Sequence, residues 1–237
     1  SFGPALHDTP IAGGIDRGGD VGRAGRDGSQ AGAQGRPDEY VDNDVAGMGA
    51  GELSGNVREV DAPAFGSAMD RAIAARGPEM AQVSRVEPDA DVTRVLLDDG
   101  NTGYALDGDN IIGVFSHPDA PRGAAQRVLQ DAVSRGGRRL DGFDTYLPKI
   151  YADAGFKAVA RLPFSREYAP SVENGAAVNW DYDAMAPFNN GEPDVVFMVY
   201  DPQNATPDTD NVVADYDAGL AAQEAAPASA EAAPKGR

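Results

Sequence analysis

The sequence predicts an α/β domain built on a mixed, mostly antiparallel sheet. Three observations carry this. Short alternating apolar runs are interleaved with runs of helical period. Two turns of Asp-Gly chemistry, Asp98-Asp99-Gly100-Asn101 and Asp107-Gly108-Asp109-Asn110, punctuate three consecutive strand-like segments. The composition also shifts near residues 55 and 202, which marks off a stretch of ordinary domain size between two segments poor in large apolar residues.

Taken in order, Val57–Val60 reads as a short strand. Asp61 is placed to cap a helix with Pro63 in its first turn, and Phe65, Met69, Ala72 and Ile73 fall on one face of that helix, which ends near Gly77. Met80–Val86 alternates as a strand would. Thr93–Leu97, Thr102–Leu106 and Ile111–Ser116 form the meander, the last being the most apolar. Ala124–Ser134 is an amphipathic helix with Ala125, Val128, Leu129 and Ala132 on its apolar face, stopped by Gly136-Gly137. Arg138–Phe143 is a strand, Thr145–Ala154 a helix ended by Gly155, and Lys157–Leu162 a strand. A loop of roughly 30 residues holds the single Trp, Trp180, before the final strand Asp194–Tyr200.

Residues 1–55 hold 14 of the 29 glycines, and the run from Gly13 through Gly35 has almost no large apolar residues, so the segment cannot offset its ordering entropy and is expected to be a flexible linker. Residues 203–237 end in an Ala/Pro/Glu run and are expected to be a disordered tail, with room for a short helix near Asp215–Ala226. Flexible segments on both sides, and a first residue that is Ser, suggest a domain carried within a longer polypeptide.

The net charge of −18 argues against a nucleic-acid partner, because phosphate binding depends on clustered Lys and Arg. Absence of Cys removes disulfides, thiolate metal sites and a thiol nucleophile, and two histidines, His7 and His117, cannot make a multi-histidine centre; no metal is expected. No apolar run approaches the length of a spanning helix, and no basic-then-apolar leader is present, so no membrane association is expected. The two Asp-Gly turns lack the ligand spacing and terminal Glu of a calcium loop.

Several residues carry more than structure. Ile150-Tyr151-Ala152-Asp153-Ala154-Gly155-Phe156 closes a helix just before the Lys157–Leu162 strand, and Arg122-Gly123-Ala124-Ala125 opens the helix that follows the Ile111–Ser116 strand. With the element order over residues 57–200, these resemble the GNAT-type N-acetyltransferases. Leu140 through Thr145, Ala160 through Phe164, Tyr168-Ala169-Pro170, Trp180 and Pro193 through Met198 resemble more closely a GNAT-like domain of large phage and mobile-element polyproteins. The resemblance implies helices on both faces of the sheet, a domain over 56–202, and acetyl-CoA and an amine acceptor as its partners.

It also implies roles for residues. Arg122, Gly123, Ala124, Ala125 and Arg127 stand at the pyrophosphate motif, where a helix N-terminus offers open N–H groups to an anion. Ala125 and Arg127 occupy positions where the motif has Gly or another small residue. Main-chain N–H groups near Phe115, beside a splay between the Ile111–Ser116 and Arg138–Phe143 strands, would hold the thioester oxygen. Tyr151 would donate a proton to the departing thiolate. His117 lies close to where amine and thioester meet and has the chemistry of a base. Asp144, at a position that is often Asn, would orient a group or cap the next helix.

Two other functions fit the same residues. One is a non-catalytic GNAT-like module of a phage virion or polyprotein, used for binding or assembly; the other is an acidic decoy for a basic host protein. The expected location is the bacterial host cytoplasm or the phage virion.

Overall fold

The computed structural model describes residues 56–228. The linker expected over 1–55, His7 and residues 229–237 lie outside the described residues. The elements are β1 (Val57–Glu59), α1 (Ala62–Arg76), β2 (Thr93–Leu97), β3 (Thr102–Asp107), β4 (Asn110–Ser116), α2 (Ala124–Ser134), β5 (Arg139–Phe143), α3 (Leu147–Asp153), β6 (Phe156–Leu162), β7 (Val195–Tyr200) and α4 (Tyr216–Ala225). The strands make one sheet in the order β1-β2-β3-β4-β5-β7-β6, antiparallel at every pairing except β4 with β5. The mixed, mostly antiparallel sheet expected from the sequence is therefore present. No helix among the described residues is long and apolar enough to cross a membrane.

Strand alternation sorts the core into two faces. Leu97, Tyr104, Leu106, Ile111, Leu140, Val196 and Met198 pack with Val128, Leu129 and Ala132 of α2 and with Tyr151 of α3. On the other face, Leu96, Ala105 and Phe115 pack against Phe65, Met69 and Ala72 of α1. Further along that face, Phe143, Val195, Phe197 and Val199 lie under Trp180, Met185 and α4. Helices thus cover both sides.

Local chemistry explains the helix ends. The Asp61 side chain accepts the Ala64 N–H at 2.9 Å, as its position predicts. Gly136 and Gly155 take positive φ after α2 and α3, and the Gly137 N–H returns to the Ala132 carbonyl. Met80–Val86 is not a strand. Residues Gly77–Gln82 form a 3-10 helix, and only Ser84 makes an isolated bridge, to Ala176. Met80, Ala81 and Gln82 are buried in succession, which a strand with one solvent face would not allow.

The boundary expected at residue 202 is also corrected. Residues 211–213 run beside the outer edge of β6, where the Val213 N–H reaches the Arg161 carbonyl and the Arg161 N–H reaches the Asn211 carbonyl. Asp215 caps α4 through the Ala218 N–H at 2.8 Å. Gln223, 1 % exposed, donates to the carbonyls of Leu140 and Met198. The turn between β7 and this segment is pinned by Asp201, whose carboxylate accepts the N–H groups of Ala205 and Thr206. Burial opposes ionisation of Asp201, but these two N–H bonds outweigh it and hold its pKa below the usual carboxylate range.

β4 contains a bulge. Gly103 pairs with Phe115 but Ala105 with Ile112, so one extra residue sits on β4, and Gly113 there has φ +56°. A Cβ at Gly113 would also meet Val86 Cγ2 at 2.7 Å. Gly113→Ala is therefore expected to lose about 1–2 kcal/mol or more from the left-handed backbone alone, read as a lowered denaturant midpoint at unchanged slope.

Candidate active site

β4 and β5 pair at one register only, Asn110 with Arg139, near the start of both strands. Beyond it they part, and the splay expected from the resemblance is present. The pairing is locked by Arg139, which forks onto Asp109 at 2.5 Å and reaches Glu224 of α4. Burial opposes the charge on Arg139, but Asp109 and Glu224 outweigh it and raise its pKa.

Ladder alternation identifies which main-chain groups face the opening. The Tyr200 N–H bonds the Arg138 carbonyl and the Asp144 N–H bonds the Asp194 carbonyl, so the even-numbered residues of β5 are bonded to β7. Asp141 and Phe143 then turn their main chain toward β4. On β4, the His117 N–H bonds the Asn101 carbonyl. The alternation makes Phe115 a bonded partner of Gly103 on β3 and turns Ser116 to the opening. The Phe115 N–H is thus committed elsewhere, and Ser116 supplies the main-chain donor at this place. The Ser116 carbonyl accepts from Arg76 Nε at 2.5 Å.

Tyr151 stands at the last turn of α3, 5 % exposed. Its ring lies against the bare backbone of Gly142, where a Cβ would meet Tyr151 Cε2 at 3.2 Å. Burial raises its pKa most, and the charge of Asp141 and the neighbouring Tyr146 raise it further. The phenol therefore keeps its proton through neutral pH.

α2 begins beyond β4, at the end of the sheet where the strands part. Gly123 precedes it with φ +75° and no side chain caps the helix. The Ala124 N–H bonds the Pro121 carbonyl and the Arg127 N–H bonds the Gly123 carbonyl. Ala125 and Gln126 lie between them in this uncapped first turn. Arg122 is exposed and Arg127 half-buried.

Two expected residues sit differently. His117 Nδ1 accepts the Asp119 N–H at 3.1 Å, so the neutral ring carries its proton on Nε2 and offers no lone pair there. A base role would break this turn. Asp144 does not cap α3, whose N-cap is Tyr146; it is ion-paired with Arg161 on β6.

The structure adds residues that the motifs did not mark. Asp141, 2 % exposed, is a carboxylate inside β5 and accepts a hydrogen bond from Tyr216 of α4 at 2.9 Å. A charge in the middle of an apolar strand, Leu140-Asp141-Gly142-Phe143, was the available signal. Gln82, 4 % exposed, donates to the Tyr146 hydroxyl at 2.9 Å and accepts from Thr145 at 2.9 Å. No local pattern points to that clasp, since its partners lie over 60 residues away.

No protein-family model matches the chain, and no curated protein matches it. Among solved structures, a phosphinothricin acetyltransferase of the GNAT superfamily from Sinorhizobium meliloti, in complex with AcCoA, aligns at 14% identity and TM-score 0.40 over 66% of this chain and 94% of that one. Apo YjaB from Escherichia coli aligns at 12% identity and TM-score 0.41 over 62% of this chain and 98% of that one. YncA from Salmonella typhimurium, solved with acetyl-CoA, aligns at 12% identity and TM-score 0.38 over 65% of this chain and 98% of that one.

Proposed function

We propose that residues 56–228 act as a GNAT-type N-acetyltransferase domain that moves an acetyl group from acetyl-CoA to an amine. The observation that carries this reading is the parting of β4 from β5, with an uncapped helix N-terminus at the same end and a protonated phenol packed on Gly142 of β5. An acyl thioester on a long amide-bearing arm fits such an opening, because Ser116, Asp141 and Phe143 turn main-chain groups toward it. The pyrophosphate fits the first turn of α2, where Ala125 and Gln126 lie uncapped beside exposed Arg122.

The chemistry follows from these positions. The amine nitrogen attacks the thioester carbonyl carbon. The Ser116 N–H meets the negative charge that grows on oxygen. The carbon–sulfur bond breaks with its electron pair on sulfur, and Tyr151 gives sulfur a proton. The amine loses its proton to solvent, from which Tyr151 is recharged. His117 takes no part in this scheme.

A second reading, a non-catalytic module used for binding or assembly, is favoured by Arg127, which brings a long charged side chain where the motif has a small residue. From the sequence resemblance we also propose that the domain is carried on a longer phage polypeptide, in the host cytoplasm or the virion.

Titration calorimetry of acetyl-CoA and of CoA into the full chain separates the two readings. Micromolar binding is expected, lost on Arg122→Glu, which reverses the charge beside the helix N-terminus. No heat at millimolar ligand overturns the enzyme and leaves the module.

A further inference from the structure

β4 and β5 share one ladder register, Asn110 with Arg139, so strand pairing does not hold their far ends at a fixed separation. The two groups of the proposed chemistry belong to those ends. Ser116 closes β4, and Tyr151 rides on α3, which follows β5 by way of Thr145 and Tyr146. One short segment joins them. Gly77–Gln82 is a single 3-10 helix with a proline in its first turn. Before it, Arg76 donates Nε to the Ser116 carbonyl at 2.5 Å. The peptide group held there is pinned at its other atom too, because the His117 N–H bonds the Asn101 carbonyl at 2.7 Å. At the far end, Gln82 donates Nε2 to the Tyr146 hydroxyl and accepts the Thr145 hydroxyl, both at 2.9 Å. Apolar contacts divide the same way. Met80 packs in the cluster of Phe65 and Phe115, and its neighbour Ala81 in the cluster of Phe143 and Trp180.

Gln82 is 4 % exposed. A buried amide is costly unless its polar atoms are paired, and this one is spent on the two residues that lead into α3. They pass the constraint on. The Thr145 N–H bonds the Phe143 carbonyl at 2.7 Å, which ties the clasp to the end of β5. The Tyr146 carbonyl accepts the Ile150 N–H, one residue before Tyr151.

We propose that Gln82 is a positioning residue for Tyr151, acting through Thr145 and Tyr146, and that Arg76–Gln82 is a brace that sets the phenol against the Ser116 main chain where the ladder does not. The inference rests on the acetyltransfer reading. The two ends of the brace act on different groups: Gln82 on the proton donor, Arg76 on the main chain that meets the charge on oxygen.

The test uses the full chain, acetyl-CoA and hydroxylamine, an amine small enough not to depend on the acceptor's shape. Released CoA is read with a thiol reagent against a chain-free control, and since the chain has no Cys all of the signal is product. Gln82→Ala is expected to lower kcat about tenfold, within what a small misplacement of a reacting group costs, with KM for acetyl-CoA unchanged. In a Tyr151→Phe background the same substitution should cost nothing further, because the hydroxyl it positions is gone. Arg76→Met should lower kcat by the same factor with or without the Tyr151 hydroxyl. Thr145→Val should repeat the Gln82→Ala result, and Thr145→Ser, which keeps the hydroxyl, should restore wild-type kcat. This pair decides the matter if Gln82→Ala does not fold. Unchanged kcat in Gln82→Ala or in Thr145→Val overturns the inference. Equal losses from Gln82→Ala with and without the Tyr151 hydroxyl also overturn it, since they would make the clasp merely structural. Failure of acetyl-CoA to bind, or of wild type to release CoA above the control, overturns the acetyltransfer reading itself, and so the two failures are distinguishable.

Discussion

Tyr151→Phe is expected to lower kcat by at least about 10²-fold, the low end of what a positioned general acid contributes, while acetyl-CoA affinity is retained. The structure favours a clean result. Phenylalanine keeps the ring that lies against Gly142 and within the cluster of Leu140, Phe156 and Met198. Loss of one hydroxyl should then move stability by no more than about 1–1.5 kcal/mol, and a chemical melt alongside the kinetics checks this. The pH profile adds a second readout. Burial first, then the Asp141 charge and Tyr146, raise the Tyr151 pKa. The acid form is therefore present throughout the neutral range, and wild-type activity should rise with pH as the amine loses its proton. No alkaline fall from Tyr151 should appear below about pH 10, the ordinary tyrosine value. The linkage sign agrees: with the folded pKa raised, the stability tied to this phenol is present below the unfolded pKa and is lost as pH climbs above it. A Tyr151→Phe variant that retains wild-type kcat would remove Tyr151 from the mechanism and point to Tyr146 or solvent as the proton source.

The parts of the fold that were legible in the sequence are those written in local signals. The meander β2–β3–β4 is bounded by two turns whose glycines, Gly100 and Gly108, take the positive φ that Asp-Gly chemistry predicts. α2 runs over the residues its amphipathic period marks, because Gly136 gives it an unambiguous stop. The failures come from competition between local and distant partners. Asp144 is chemically a good cap, but Arg161 on the neighbouring sheet edge takes its carboxylate, and Pro148 fixes where α3 begins. Met80–Val86 carries a seven-residue pattern too short to separate period two from period three. Its conformation is decided by Thr145, Tyr146 and Ala176, which lie far along the chain. The candidate site divides the same way. Tyr151 and the turn before α2 were visible because each sits in a contiguous motif. Ser116 as the inward donor emerges only from ladder register, and Asp141 only from its burial beneath Tyr216.

The C-terminal segment is the sharpest case, and it carries the second large prediction. A chain cut after Pro202 is expected to lose cooperative folding, whereas one cut after Ala228 keeps it. Composition argues the reverse, since residues 203–228 are rich in Ala, Asp and Pro and supply few large side chains. A ten-residue helix of that kind is marginal alone. What it meets decides the matter. Phe197 on β7 faces α4 so closely that a Cβ on Gly219 would sit 2.2 Å from its ring, so glycine at that position lets the helix axis approach the sheet. Tyr216 packs edge-on against Phe197 at 5.1 Å and gives its hydroxyl to Asp141. Leu220 and Val213 join the same cluster. Removing the segment bares that face of β7 and leaves the buried Asp141 without its Tyr216 bond. It also strips the Gln223 donor from two sheet carbonyls and breaks Arg139 from Glu224. At up to about 1.5–3 kcal/mol for each fully buried side chain laid open to water, Phe197 and Val199 on β7 alone, 0% and 1% exposed, cost a few kcal/mol, a large share of the whole stability of an ordinary domain, about 5–15 kcal/mol. Circular dichroism melts of the two truncations check this. A chain ending at Pro202 that melts sharply near the full-length temperature would show that α4 is dispensable, and that β5 keeps the opening beside β4 without it.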